Sequence, residues 1–245
     1  METVREYRQS VFCRNLVTYP VTVKETDILV STVTRLDVLT REKVFLYRGQ
    51  IESYIQQNPN FLHSLIPWDS TGPAPDIIRD MSNAARLAGV GPMAAVAGAI
   101  AAAVGNDLLM CSNEVIIENG GDVFIKTQMP ITAGIFAGKS PLSMKIGVRI
   151  DSSSHPVGLC TSSGTVGHSL SFGKADAVCV LSDSCSLADA AATAIGNQVK
   201  TSADIQDAIG FGKSIPGISG ILVVVGSQMG IWGKLELMPI TGKKY

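Results

Sequence analysis

The chain has 245 residues, of which 46% are hydrophobic and 17% charged, so it can bury a sizeable core and is too apolar to be disordered. Its formal net charge is −1 and it has no run of five like charges, which argues against nucleic acid as the main partner. Five scattered cysteines without a C-x-x-C pair predict buried free thiols in a reducing compartment. The polar start Met1–Gln9 predicts no signal peptide, and the longest apolar run, Val90–Val104, is too short to span a bilayer. We therefore expect a cytoplasmic α+β protein with no membrane partner.

Helices dominate the first half of the chain after one hairpin. The spacing of apolar residues, the prolines and the turn residues together predict its elements. In chain order these are a hairpin, a helix, a proline-rich loop and two more helices: Leu16–Val23 with Ile28–Thr34, Asp37–Asn58, Phe61–Pro75, Asp76–Ala88, and a helix that begins at Pro92. Proline suits that last position because the first turn of a helix does not need its missing N–H.

Strands dominate the second half. Asn119-Gly120 is a strong hairpin signal because both residues tolerate positive φ. The predicted elements are a hairpin over Val115–Ile125, strands over Ile131–Phe136, Ser143–Ile150 and Ala175–Leu181, helices over Ser186–Asn197 and Thr201–Gly210, and a closing hairpin of Gly220–Val225 with Gly230–Met238 through Ser227-Gln228.

Two helical segments repeat the same alanine-rich pattern. Ala97–Asn106 reads AGAIAAAVGN and Asp189–Asn197 reads DAAATAIGN. Similar composition alone explains the likeness, or else the chain contains a duplicated helix-plus-hairpin unit whose small faces pack together. Both interpretations stay open at this stage.

Two apparent nucleotide-binding motifs fail on spacing or context. Gly134–Ser140 has three residues between its glycines where a P-loop needs four, and Gly89–Ala94 follows a helix where a Rossmann unit needs a strand. The helix that begins at Pro92 still offers N–H groups and a positive dipole end that suit an anion.

The segment Glu118-Asn119-Gly120-Gly121-Asp122 predicts a tight turn with one glycine and two carboxylates more than a turn requires. Consecutive glycines also let a ligand ring or phosphate approach the backbone closely. A turn alone and a turn that binds a ligand are both open.

The hydroxyl-rich segment from Thr161 to His168 contains Ser162, Ser163 and Gly164. It suits the binding of ligand oxygens, and a solvated linker is the alternative. A serine hydrolase that uses Ser162 or Ser163 with His168 is disfavoured, because the G-x-S-x-G elbow is missing.

Asp189 and Thr193 are four residues apart on the Ser186–Asn197 helix, so their oxygens share one face. A carboxylate and a hydroxyl there suit part of a Mg²⁺ site. Ser186-x-x-Asp189 also has the form of a capping box, as Thr201-x-x-Asp204 does, which would explain Asp189 without a metal.

Taken in order, these segments resemble the ApbE-like superfamily, whose characterised members are FAD:protein FMN transferases and which was once linked to thiamine biosynthesis. The resemblance covers roughly residues 90–200. It is carried by the Gly91–Ala103 helix, Gly120-Gly121, the T-S-S-G segment Thr161–Gly164, His168, and the A-D-A-x-x-T-A pattern of Ala188–Ala194.

The resemblance implies a duplicated T-fold-like arrangement of helices packed on antiparallel sheets. We expect one domain over 1–245, with a division into two lobes of about 1–130 and 131–245 as the alternative. It further implies that Asp189 and Thr193 bind Mg²⁺ and that His168 and Asp189 are catalytic. The implied ligand is FAD or FMN, a nucleotide-like small molecule whose flavin would be transferred to a protein acceptor. The residues that the resemblance implies for its binding are Glu118, Asn119, Gly120, Gly121, Asp122, Ser162, Ser163 and Gly164.

The sequence departs from the transferases of that family in two places. The family's H-x-I-D-P-x-T-G stretch is missing after His168, and its Lys-Gly is missing at Ala95–Gly98. The chain thus resembles a shorter cytoplasmic branch. Two hypotheses follow. The first is an enzyme that acts on a flavin or similar ligand with Mg²⁺, and the second is a ligand-binding or assembly protein without the transferase chemistry. Either protein could be an oligomer.

Overall fold

Three layers make up the fold of the computed structural model, which describes residues 16–69, 72–165 and 172–240. Helices cover one face of an eight-stranded antiparallel sheet, and a three-stranded antiparallel sheet lies against its other face. One apolar cluster fills the space between the helices and the large sheet, and a second lies between the two sheets. The predicted α+β class is confirmed.

The strands of the described residues are numbered in chain order. They are β1 Val17–Val23, β2 Thr26–Thr32, β3 Val115–Asn119, β4 Asp122–Lys126, β5 Ile131–Gly134, β6 Ile146–Ile150, β7 Val157–Ser162, β8 Ala177–Ser182, β9 Ile218–Val225, β10 Gln228–Gly233 and β11 Glu236–Pro239. The large sheet has the order β1-β2-β3-β4-β7-β8-β9-β10, and the small sheet has the order β11-β6-β5.

The helices of the described residues lie in two groups, one after β2 and one after β8. They are α1 Asp37–Gln57, α2 Asn60–His63, α3 Asp76–Ala88, α4 Val96–Leu108, α5 Cys185–Gln198 and α6 Ile205–Lys213. Short 3-10 turns, Pro92–Ala95 and Ser202–Asp204, precede α4 and α6.

A repeated unit explains the order of the large sheet. In each half a hairpin is followed by helices and then by a second hairpin. The first half consists of the hairpin β1-β2, helices α1 to α4 and the hairpin β3-β4. The second half consists of the hairpin β7-β8, helices α5 and α6 and the hairpin β9-β10. The two halves join where β4 pairs with β7. This is the duplicated arrangement that the resemblance implied.

The burial of each strand follows from the layers. Near the edge of the large sheet, β2 alternates between buried and part-buried residues. Every residue of β3 and of β8 is buried, because helices cover one face of these strands and the small sheet covers the other.

Several predicted boundaries need correction. The most important is β7, because the residues Thr161 and Ser162 lie at the end of a buried strand and not in a hydroxyl-rich loop. Asn119 pairs with Asp122, so Gly120 and Gly121 form the hairpin turn, with φ of 71° and 111°. Both glycines need this left-handed backbone, which explains the second glycine of the motif.

The ends of the chain's predicted hairpins also shift. The first hairpin turns through Lys24 and Glu25 only, since Val23 pairs with Thr26. The last one turns at Gly226 and Ser227, and its second strand stops at Gly233. The next strand, β11, joins the small sheet, so the predicted strand Gly230–Met238 is two strands. The predicted loop Phe61–Pro75 begins within the short helix α2.

In the described ranges no single helix is long and apolar enough to cross a membrane. The pair Asp76–Ala88 and Pro92–Leu108 has the length and composition only when both parts are counted together, and the two are bent by 105°.

Candidate functional site

A cleft of about 340 Å³ lies where the start of α4, the start of β4 and the exposed side of α5 meet. Its floor contains Asp122, Asp189 and Thr193, three of the residues that the sequence predicted for a site. The remaining residues around it are mainly apolar: Leu62, Leu65, Val90, Gly91, Met93, Ala94, Val96, Ala97 and Phe172, with Ser64 and Asn197. The tertiary structure thus brings together a carboxylate from β4 and a carboxylate and a hydroxyl from α5.

The capping-box interpretation of Asp189 is wrong. Helix α5 begins at Cys185, and the side chain of Ser184 accepts the Leu187 N–H as the N-cap. Ser186 is already inside the helix and donates its hydroxyl to Asp80. Because the N-cap is Ser184, two residues before Ser186, the N3 position is Leu187 and Asp189 lies beyond the capping positions. The capping box predicted at Thr201 and Asp204 is confirmed.

Asp189 contacts the beginning of a different helix. Its Oδ2 atom accepts the N–H of Gly98, in the first turn of α4, at 2.9 Å. The helix predicted from Pro92 begins as a 3-10 turn over Pro92–Ala95, and the first turn of α4 that follows it binds the protein's own carboxylate. Only glycine fits at position 98, because a Cβ would lie 2.5 Å from the Cys185 carbonyl oxygen and 2.9 Å from Asp189 Cβ.

The echoed segments Ala97–Asn106 and Asp189–Asn197 therefore pack their small faces together, as one interpretation proposed. They occupy different places in the two repeated units, however. Helix α4 lies directly before the second hairpin of its unit, whereas α5 lies directly after the first hairpin of its own.

The two carboxyls of the floor share an environment that opposes ionisation. Burial raises the pKa of Asp122 well above its usual range, and the Asp189 carboxylate raises it further, against the hydrogen bond from the Cys160 thiol. Burial also raises the pKa of Asp189, against the hydrogen bond from Gly98. Within the described part of the chain no ion pair joins either carboxylate to a basic side chain. A cation in the cleft would relieve this unfavourable charge.

Glu118 and Asn119, the other polar residues of the Glu118–Asp122 segment, form hydrogen bonds with the protein's own backbone. Glu118 Oε1 accepts the N–H of Gly121 at 3.0 Å and so closes the turn. Asn119 is 9% exposed, and its Nδ2 donates to the Ala97 carbonyl oxygen at 3.0 Å. Asp122 is the member of this segment that lines the cleft.

A polar stripe on α5 extends the predicted pair by one turn. Asp189, Thr193 and Asn197 all line the cleft and follow one another at a spacing of four residues. Asn197 Oδ1 accepts the N–H of Phe172 at 2.9 Å, which anchors that aromatic residue in the cleft wall. Asn197 was not among the residues predicted for the site, although its helical spacing from Thr193 marks it as a neighbour on the same face.

The described residues of the hydroxyl-rich segment, 161–165, lie outside the cleft lining. Ser162 pairs with Val178 at the end of β7, Ser163 accepts the N–H of Thr165 at 3.1 Å, and Gly164 donates to the Ala175 carbonyl oxygen at 2.9 Å. His168, for which we predicted a catalytic role, lies outside the described residues.

Among the described residues no group of three or more His, Cys, Asp or Glu side chains has the geometry of a metal site. The floor of the cleft offers two carboxylates and one hydroxyl, which are hard oxygen ligands, and Ser64 and Asn197 add a second hydroxyl and an amide oxygen to the lining. Mg²⁺ uses one or two protein carboxylates and completes its shell with water and phosphate oxygens, so this set fits it.

A larger, more open hollow of about 590 Å³ lies between α1, α3 and α4. Its acidic residues already have partners: Asp107 accepts the Tyr47 hydroxyl at 2.8 Å and pairs with Lys43 at 3.0 Å, and Asp76 pairs with Arg79. Asp80, the third acidic residue there, accepts the Ser186 hydroxyl. Because two of its three carboxylates are paired with basic side chains, the hollow is a weaker candidate than the smaller cleft.

The cysteines of the described residues are free thiols. Cys160, Cys179 and Cys185 are buried as predicted, whereas Cys111 is exposed. The sulfur atoms of Cys160 and Cys185 are 3.6 Å apart beneath the cleft, and burial raises the pKa of the Cys160 thiol well above its usual range. Such thiols are unreactive, so they belong to the packing of α5 on β7.

Comparison with known proteins supports the resemblance drawn from the sequence. A family model described as AbpE bacteria matches residues 11–226. The chain is 39% identical over 227 residues to a UPF0280 protein of Methanocella arvoryzae, which covers 92% of this chain and 91% of that one. It is 41% identical over 212 residues to a UPF0280 protein of Methanococcus aeolicus, covering 84% and 85%.

Solved structures share the fold at low identity. The apo form of the flavinyl transferase ApbE from Pseudomonas stutzeri matches with a TM-score of 0.56 and 14% identity, over 89% of this chain and 94% of that one. The flavin transferase ApbE from Vibrio cholerae matches with a TM-score of 0.50 and 13% identity, over 89% and 96%. At such identities the likeness shows the fold alone.

Proposed function

The chain belongs to the family described as AbpE bacteria, and we propose that it binds a flavin nucleotide, or a related phosphate-bearing ligand, through Mg²⁺ at the cleft between α4, β4 and α5. The observation that carries the proposal is the pair of carboxylates, Asp122 and Asp189, on the floor of a mainly apolar cleft. The names of the two fold neighbours, both flavin transferases, support the choice of a flavin.

A cation is needed because the described residues that line the cleft include two carboxylates and no lysine, arginine or histidine. A phosphate that entered alone would meet negative charge in a partly dehydrated site, where repulsion is stronger than in water. When bound, Mg²⁺ would neutralise this charge and polarise the phosphoryl group as a Lewis acid.

The protein's own residues position the metal and the ligand. Gly98 orients Asp189, and Thr193 adds a hydroxyl one helical turn further along. Leu65 and Phe172, which are 58% and 55% exposed, offer an apolar wall to a flat ring. A volume of about 340 Å³ is near the lower end for ligand sites, so the cleft takes only part of a dinucleotide.

The reaction that suits such a complex is transfer of FMN from FAD to a hydroxyl of a protein acceptor. The bond between the FMN phosphorus and the bridging oxygen breaks, and AMP leaves with that oxygen. A new bond forms from the phosphorus to the acceptor oxygen, and the hydroxyl proton passes to water. A ligand-binding protein without this chemistry is the second candidate, favoured by the missing H-x-I-D-P-x-T-G stretch after His168.

Calorimetry with FAD tests the binding. We expect binding with Mg²⁺ and little with EDTA, and a loss of about tenfold or more in Asp189→Ala and Thr193→Ala, since a charge-assisted contact contributes about 1.5–3 kcal/mol. Gln198→Ala is the matched control, because Gln198 is exposed on the same helix and does not line the cleft.

Two outcomes separate the hypotheses. Absence of FAD and FMN binding in the presence of Mg²⁺ would reject the proposed ligand. Binding without AMP release, in the presence of acceptor proteins from the same cell, would reject transfer and leave the binding protein.

A further inference from the structure

The peptide unit between Ala97 and Gly98 is held from both sides. Its carbonyl oxygen accepts Asn119 Nδ2 at 3.0 Å, and its N–H donates to Asp189 Oδ2 at 2.9 Å. Three elements therefore meet at one peptide: the end of β3, the first turn of α4 and the middle of α5. Asn119 and Asp189 are the two side chains that hold it.

The planarity of the peptide couples these two bonds. In a trans peptide the carbonyl and the N–H point in opposite directions within one plane, so a partner that fixes the carbonyl also fixes the direction of the N–H. A carbonyl that accepts a hydrogen bond additionally polarises its peptide and strengthens the N–H as a donor. Asn119 thus acts on Asp189 through the backbone of α4.

The surroundings leave this peptide little freedom. Gly98 is pressed against α5, where a Cβ would lie 2.5 Å from the Cys185 carbonyl oxygen. Asn119 is 9% exposed and is tied to the hairpin turn that also places Asp122 on the cleft floor. One hairpin end therefore sets the position of both carboxylates, Asp122 directly and Asp189 through the peptide.

We propose that Asn119 is a positioning residue of the cleft, which holds the Ala97–Gly98 peptide so that its N–H orients the Asp189 carboxylate toward a bound cation. This role rests on the proposed function, and it replaces direct ligand contact as the role of Asn119. Asn119 touches neither cation nor ligand.

The first test uses metal-free protein and the NMR resonances of the Gly98 amide and the Asp189 carboxyl carbon. The chemical shift of the Gly98 amide in Asp189→Ala is the reference value for a Gly98 N–H that has lost its hydrogen bond to Asp189. We expect Asn119→Ala to move the Gly98 resonance part of the way toward that value, to move the Asp189 carboxyl resonance and to speed amide exchange at Gly98. Unchanged resonances of Gly98 and Asp189 in Asn119→Ala would overturn the proposal.

The second test measures the affinity for Mg²⁺ alone by calorimetry. We expect Asn119→Ala to weaken it about threefold to tenfold, the effect of one hydrogen bond. Ser152→Ala is the control, because it breaks the buried hydrogen bonds between Ser152 and Thr127, away from the cleft. If both variants lose stability and neither loses Mg²⁺ affinity, Asn119 is part of the scaffold only.

The design keeps this role separate from the proposed function. If the wild-type protein binds neither Mg²⁺ nor flavin, the proposed function fails, while the NMR measurement still decides whether Asn119 orients Asp189. If Asn119→Ala does not fold, Asn119→Leu keeps the branched shape of the side chain and removes the donor, so the same measurements apply.

Discussion

At the scale of single residues, the cleft floor concentrates negative charge where water is scarce. Asp122 is 8% exposed, and burial and the negative charge of Asp189 raise the pKa of its carboxyl. Among the described residues no basic side chain forms an ion pair with it. Such an arrangement lowers stability in the absence of a ligand, and functional sites often tolerate this cost because the charge is needed there.

This charge makes the stability of the metal-free protein depend on pH. An unfolded aspartate ionises near its usual pKa of about 3.9, whereas burial and Asp189 raise the pKa of Asp122 in the folded state. Between the two values the folded state binds more protons, so its stability falls as the pH rises through that window.

We therefore expect metal-free Asp122→Asn to be more stable than wild type at pH 7, by about 1.4 kcal/mol for each unit by which the pKa is raised. The gain should disappear near pH 3, where both states are protonated. Thermal melts from pH 3 to 8 with EDTA measure it, with Asp207→Asn on the exposed side of α6 as the control. A gain that is constant across this range would contradict the assigned cause.

At the scale of elements, the site depends on how closely α4 approaches α5. Gly98 permits the contact, and the alanines around it leave both helices smooth. Small residues at a helix interface have the same effect in other folds, because backbones can then come close enough for a side chain of one helix to bind the backbone of the other. Here that side chain is Asp189.

Two helical glycines give a matched pair of substitutions. Gly98→Ala should lower the free energy of unfolding by about 1–3 kcal/mol, because its Cβ would overlap the Cys185 carbonyl. Gly210→Ala on α6 should raise it by about 0.4–1 kcal/mol, since no atom lies within 4 Å and alanine has the lower unfolded-state entropy. Urea titrations measure both, and equal effects would mean that the α4–α5 contact is loose.

At the scale of the whole molecule, the two repeated units share their core. They are joined by the pairing of β4 with β7, by the packing of α4 on α5, and by the small sheet that covers the large one. The cleft lies at this junction, so its geometry depends on both units being folded. We expect the two to unfold together.

The chain's two tryptophans test this cooperativity, one in each unit. Trp68 donates to the Tyr54 hydroxyl at 3.2 Å in the first, and Trp232 lies on β10 in the second. In the single-tryptophan variants Trp68→Phe and Trp232→Phe, we expect fluorescence and circular dichroism to give one coincident urea transition each. Midpoints that differ between fluorescence and circular dichroism within either variant would show that the units unfold separately.

Most of the elements could be predicted from the sequence, because hydrophobic periodicity and turn residues act over a few neighbouring residues. Helices α1 and α3 match their predicted bounds to within one residue. Strand β7 was missed because its hydroxyl residues resemble a loop and because burial on both faces removes the alternation that marks a strand.

Part of the site could also be predicted from the sequence, because it depends on neighbouring residues of one helix. The spacing of Asp189 and Thr193 follows from one helix and was visible in the sequence, as was the resemblance that singled them out. That Asp122 lies beside them, that Asn119 contacts Ala97, and that Asp189 binds Gly98 rather than its own helix were not visible. These contacts join residues 22 to 91 positions apart, and only the packing of α4 on β3 and α5, and of α5 on β4, brings them together.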